Sequence, residues 1–275
     1  MQEVDREKVA EEVVALLDQL SFKKAKDMWS FLTTDQEIQG SIKAGNRLAV
    51  KYLKYTDHGL DHVTIVCRNV LQIIDVIKDE IEPALINQEI GDWDDVGVVC
   101  LAACYLHDVG HIVHRKFHEL ISSIMAKDLI YGKLKKLYPD TDQRLDILSH
   151  IQSAILSHYE EVECLTPEAG FVTIADGLDM CAGRSRKPYD LGKVDIHSIS
   201  ALSIKEVEIM HGTKKKPVRI NIMMTSEAGI FQVEEVFLPK LRSSNLSDVV
   251  EINTLVNNKP IALSQVLRMY KKFDE

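Results

Sequence analysis

The stretch Cys104-Tyr105-Leu106-His107-Asp108-Val109-Gly110-His111 ends an apolar run with an imidazole beside a carboxylate. Together they offer a nitrogen suited to a borderline metal and an oxygen suited to a hard one. Polar groups where a buried segment runs out need a partner, and either a divalent cation or a mutual hydrogen bond would serve. A cation needs more than two ligands, so the rest of the chain decides between them. Two further candidates stand out. His62 closes Tyr55-Thr56-Asp57-His58-Gly59-Leu60-Asp61-His62, ahead of Val63, Val66, Val70, Ile73, Ile74 and Ile77. Asp176 lies in Ile174-Ala175-Asp176-Gly177-Leu178-Asp179. An ionised Asp among Ile, Ala and Leu invites a positive partner.

Helices must position these groups. Residues 5–33 read as two helices, with Val9, Val13, Val14, Leu16, Leu17 and Leu20 on one face. A polar stretch at 33–45 is expected to precede a helical segment at 47–55. His62 then opens a strongly amphipathic helix. Residues 96–107 are apolar nearly all round, which marks a central helix. Further helices are expected at 118–137 and 145–159, and Thr166-Pro167-Glu168 is a helix start with an N-cap hydroxyl and Pro at the first position. Three helices each turning a His or Asp inward is how metal sites are built in bundles. After about residue 195 the pattern alternates, with β-branched enrichment at 204–210, 217–224 and 229–237. These read as three strands of an antiparallel meander, with helices at 241–250 and 263–273. The fold expected is mainly α: a helical metal-binding domain at 1–190, then a smaller α+β domain at 191–275.

The ordered set His62, His107-Asp108, Asp176 resembles the HD superfamily of metal-dependent phosphohydrolases, over roughly residues 50–185. The apolar lead into Leu106-His107-Asp108-Val109-Gly110 and the Ala175-Asp176-x-x-Asp179 helix fit the same pattern. The resemblance implies that His62, His107, Asp108 and Asp176 are metal ligands. His118 and His158 are its candidates for a second metal. His58 stands where several such enzymes place another histidine, to protonate a leaving oxygen or contact a phosphate. His111 and Arg115 join Asp108 and His58 as candidate catalytic groups, Arg115 for its fit to phosphate oxygens. His111, His114 and His118 would align on one continuing helix, unless Gly110 breaks it. His150 reads as core, while His114, His197 and His211 read as surface or structural. Arg184, Arg186 and Lys187 form a basic cluster, either a solvated loop or a phosphate contact. The whole chain is also similar to an uncharacterised archaeal-type HD group with an added C-terminal domain.

The chemistry implied is hydrolysis of a nucleotide or related phosphorylated small molecule, using one or two divalent ions. Mixed His and Asp sites take Mn, Fe, Co, Ni or Zn, and Mg less readily. Two other readings use the same residues: a two-iron oxygenase, and a module that senses a nucleotide or metal without turnover. A formal charge of −9 argues against a nucleic-acid scaffold, which would present a basic face. The polar N-terminus carries no visible signal peptide, and the apolar run at 96–106 is too short to span a bilayer. Five cysteines, odd in number and without a CxxC pair, suit reduced thiols, so a cytoplasmic, soluble protein is expected. Exposed strand edges beside Lys214–Lys216 are consistent with a homodimer.

Overall fold

The computed structural model describes residues 5–53, 58–180 and 196–261. Its helices are α1 (Arg6–Gln19), α2 (Lys23–Thr34), α3 (Gln36–Leu53), α4 (Leu60–Ile77), a short α5 (Ala84–Asn87), α6 (Trp93–Leu106), α7 (His118–Leu137), α8 (Thr141–Leu156) and α9 (Pro167–Gly177). A 3-10 turn, Val109–Ile112, follows α6. The chain continues through α10 (Ile196–Leu202), β1 (Ile204–Thr213), β2 (Lys216–Met224), α11 (Gly229–Gln232), a π turn (Val233–Phe237), α12 (Leu238–Ser243), β3 (Val250–Val256) and β4 (Lys259–Ile261).

Helix α6 is the axis of the bundle, buried continuously from Asp95 to Leu106. One acidic run fixes its start and its neighbour. Asp92 and Asp95 make a reciprocal capping box on α6, while the Asp94 carboxylate accepts from the backbone N–H groups of Lys23, Lys24 and Ala25 at the head of α2. Each such cap is worth about 1 kcal/mol. Asp95 also accepts from the Tyr138 hydroxyl at 2.7 Å, which ties the end of α7 to the same corner. Asn69 of α4 donates to the Ala175 carbonyl of α9. Helices α4, α6 and α9 also pack against one another, and their ends carry His62, His107 and Asp176.

The sequence expectation of a helical bundle followed by a smaller mixed region holds, with four differences in detail. Helix α3 begins at Gln36, inside the stretch expected to be polar and irregular, because Asp35 Oδ1 caps the N–H groups of Glu37 and Ile38. Residues 229–237 are helical rather than a strand. Gly229, Val233, Phe237 and Leu241 are buried, a spacing of four that belongs to a helix face. The chain therefore crosses over through a helix between β2 and β3, and such a crossover makes the two strands parallel. The sheet is mixed, in the order β1-β2-β3-β4, where a wholly antiparallel meander was expected. The helix expected at 241–250 ends at Ser243, and Asn245 enters the left-handed region at φ 60° before β3 begins. The helix expected at 263–273 and the boundary expected near 190 lie outside the described residues.

Buried side chains of the sheet, among them Ile204, Val218, Ile220 and Ile222, join those of the bundle in one contiguous apolar core. Among the described residues one segment, Trp93–Ile112, is long and apolar enough to cross a membrane, and 94% of its apolar window is buried inside the fold.

Candidate metal centre

The ends of the central helices converge on one point. His62 sits in the first turn of α4, whose N-cap is Gly59. His107 caps the C-terminus of α6, and Asp108 follows in a non-helical conformation that opens the 3-10 turn. Asp176 is in the last turn of α9, and His158 lies just past the end of α8. The helix does not run on from His107 through His118. Gly110 lies so close to α7 that a Cβ there would collide with the His118 carbonyl and stand 2.7 Å from the Ser122 amide. The turn brings His111 and His118 to the site by folding back, and leaves His114 exposed with its Nδ1 accepting from the Lys116 amide.

Six imidazoles form a closed ring. In order they are His58, His62, His107, His158, His118 and His111, each centroid 4.3–5.5 Å from the next. Asp108 is common to all of them. Its Oδ2 lies 2.6 Å from His58 Nδ1, 3.2 Å from His107 Nε2 and 3.5 Å from His62 Nε2. Its Oδ1 lies 3.1 Å from His118 Nε2, 3.6 Å from His111 Nε2 and 3.9 Å from His158 Nε2. Asp176 Oδ1 completes the first group, 3.3 Å from His62 Nε2 and 3.5 Å from His107 Nε2. All of these side chains are buried. Arg115, half-buried, places Nη1 3.1 Å from His111 Nε2 and 2.9 Å from His118 Nε2.

The donor set fits a divalent cation. His107 Nδ1 donates to the Cys104 carbonyl at 2.8 Å, so its neutral ring turns the Nε2 lone pair inward. His62 Nδ1 donates to Asp179 Oδ2 at 2.6 Å, with the same result. The two inward nitrogens are 3.1 Å apart, and two lone pairs at that distance repel unless a cation or proton lies between them. The separations of 3.1–3.5 Å among His62, His107, Asp108 and Asp176 are ones that metal–ligand bonds of about 2.1 Å would span. On the other side, His158 Nδ1 donates to the Ile155 carbonyl and His118 Nδ1 to the Arg115 carbonyl, which again leaves Nε2 facing Asp108. Anchoring the outer nitrogen of a ligating His is the usual device for fixing its tautomer.

The site's electrostatics have the same sense. Burial, the largest single influence on His107, disfavours its charged form. The Asp108 and Asp176 carboxylates outweigh it and raise the imidazole to about 9. Asp108 and Asp176 are held well below the usual carboxylate range despite their burial, by His107, His58 and His111 in the first case and by Lys240 and His107 in the second. Burial takes His111 down to about 3 and, with His107 and Lys240 nearby, takes His158 well below the usual imidazole range. A field that binds a proton this firmly at His107 favours a metal there too, and the two compete.

His58, His62, His107, Asp108, His111, Arg115, His118, His158 and Asp176, all singled out from sequence, are brought together. His150 is buried on α8 and His211 is exposed on β1. Arg184, Arg186 and Lys187 lie outside the described residues, as does the side chain of His197. Sequence reasoning missed two groups at the site. Asp179 holds His62; its signal was the third-residue spacing from Asp176. Lys240 of α12 places Nζ 2.8 Å from Asp176 Oδ2, and nothing in Leu238-Pro239-Lys240 announces it.

A profile of the HD domain matches residues 65–181. An uncharacterized protein of Methanocaldococcus jannaschii is 37% identical over 238 residues, covering 86% of this chain and 91% of the relative. No solved structure gives a significant match. The chain belongs to the HD-domain family, a superfamily of metal-dependent phosphohydrolases. The matched segment begins after His58 and His62, so geometry, not the profile, joins those two to the His107-Asp108 pair.

Proposed function

We propose that this protein is a divalent-metal-dependent phosphohydrolase that cleaves a phosphoester of a nucleotide or a related phosphorylated small molecule. The observation that carries this reading is Asp108, whose two oxygens face two separate groups of imidazoles, a donor set that would hold one or two divalent ions. Mn, Fe, Co, Ni and Zn suit such a mixed His and Asp set, and Mg suits it less well. The chemistry a bound ion supplies is Lewis acidity, toward water and toward a phosphoryl oxygen.

The chain's own groups have separable roles. Asp179 and the Cys104 carbonyl hold His62 and His107 with Nε2 inward. Arg115, partly accessible beside His111 and His118, is the candidate to take phosphoryl oxygens through its guanidinium. His58, bonded to Asp108 and packed against His111, is the candidate to hand a proton to the leaving oxygen. A buried centre in a chain of net charge −9 favours the phosphoryl end of a small molecule over a nucleic-acid polymer.

The test is phosphate or nucleoside release from nucleoside mono-, di- and triphosphates, cyclic nucleotides and an aryl phosphate, with Mn, Co, Ni, Fe or Mg, beside Asp108→Ala. Metal-dependent turnover that falls more than about a hundredfold in the variant is the expected result. Protein shown to carry metal that turns over none of these would move the assignment to a two-iron oxygenase or a non-catalytic sensor.

A further inference from the structure

We infer that Lys240 is a positioning residue for the metal centre, delivered by the C-terminal part of the chain. This rests on the metal-centre reading above and extends it to a residue outside the matched HD segment. Three contacts carry the inference. Lys240 Nζ lies 2.8 Å from Asp176 Oδ2, while Asp176 Oδ1 faces His62 and His107. The same Nζ donates to the His158 carbonyl at 2.5 Å. One ammonium therefore holds a carboxylate of one half of the centre and the backbone of a histidine in the other.

The approach is built into the packing. A Cβ on Gly177 would stand 3.1 Å from both Lys240 Cδ and Phe237 Cδ2, so the residue after Asp176 leaves room for α12 to lie against α9. Phe237 is fully buried and fixes the turn that leads into α12. The Ser243 carbonyl accepts from the Cys164 amide, and Asn245 donates to the Cys164 carbonyl, so the far end of α12 is tied down as well. Lys240 is thus a short, braced lever rather than a roaming surface lysine.

Its effect on a cation has two opposing parts. As a positive charge, Lys240 repels a metal, so its loss alone would tighten binding. As a hydrogen-bond donor to Oδ2, it stops the Asp176 carboxylate from rotating and leaves Oδ1 to face the metal. Outer partners of ligating groups are worth roughly ten- to hundredfold in metal affinity. We assign the second effect as the larger, because the ammonium bonds to two groups that the centre uses.

The experiment titrates wild type, Lys240→Met and Lys240→Arg with Co(II) alone, following affinity and the visible absorption band, which reports coordination geometry. The Met variant is expected to bind about ten- to hundredfold more weakly, with an altered band, and the Arg variant to stay near wild type in both. Equal or tighter cobalt binding by the Met variant with an unchanged band would overturn the inference, as would an Arg variant as impaired as Met. If the Met variant does not fold, Gly177→Ala, whose Cβ would stand 3.1 Å from Lys240 Cδ, crowds the lysine stem against Asp176 while keeping its charge. An altered cobalt band is then expected, and an unchanged one counts against the role. A wild type that takes up no cobalt would refute the metal centre itself.

Discussion

Asp108 serves six imidazoles with two oxygens, and that division makes its replacement different from the loss of any one histidine. Asp108→Asn keeps the size but removes the charge and turns one face into an amide donor, which cannot ligate a cation. Both halves of the centre should then lose metal, whereas His118→Ala should empty only the half facing Oδ1. Metal counted per chain after gel filtration checks this, and equal retention by the two variants would break the division. Asp179→Ala frees the His62 Nδ1 proton to shift to Nε2, the nitrogen that must face the metal. A ten- to hundredfold weaker metal affinity is expected, with the fold intact by circular dichroism. The clustered His and Asp residues were legible in the sequence because the order His62, His107-Asp108, Asp176 resembles the HD pattern, and because a His or Asp on an apolar helix is costly to bury without a partner. The roles of Asp179 and Lys240 were harder to read. An Asp three residues past a ligand and a Lys after a Pro are ordinary on a surface, and only the tertiary placement gives them partners.

The precision of those contacts depends on helix ends rather than helix middles, and helix ends are where the sequence spoke least directly. Gly110 shows why. Read along the chain, it left open whether His111, His114 and His118 lined one helix face, and the turn it permits brings two of the three to Asp108 and exposes the third. Gly110→Ala would drive a Cβ into the His118 carbonyl and the Ser122 amide, both backbone atoms of α7 that cannot swing aside. We expect a loss of about 1–3 kcal/mol of stability from overpacking, and weaker metal binding first on the side of His118. Denaturant unfolding with metal counting tests it, and a variant as stable and as metal-rich as wild type would contradict the packing described. The same weakness of local pattern explains residues 229–237. Their Val and Phe content suggested a strand, but Gly229, Val233, Phe237 and Leu241 share one buried face. Spacing, set by what the bundle and sheet offer as a surface, outweighed β-propensity.

At the scale of the molecule, the centre is a concentration of buried charge that the fold must offset. Asp108, Asp176 and Asp179 are all buried, and the Lys240 ammonium faces Asp176 while the imidazoles surround Asp108. A divalent ion held by these groups would bind the folded chain, because the candidate ligands come from α4, the end of α6, α7, α9 and the segment after α8 and meet only on folding. Metal at a hundred times its dissociation constant would add about 2.7 kcal/mol to stability. In a chain of this size each kcal/mol moves the melting temperature by roughly 2–4 °C. Chelation should therefore lower Tm by about 5–10 °C, and readdition of Mn or Co should restore it. The Asp108→Asn variant separates this from any direct action of the chelator: lacking metal already, it should melt at the same temperature with and without it. A wild type indifferent to chelation, from protein shown beforehand to contain metal, would mean that the ion does not bridge these helices and that the ring of imidazoles is held together by packing alone.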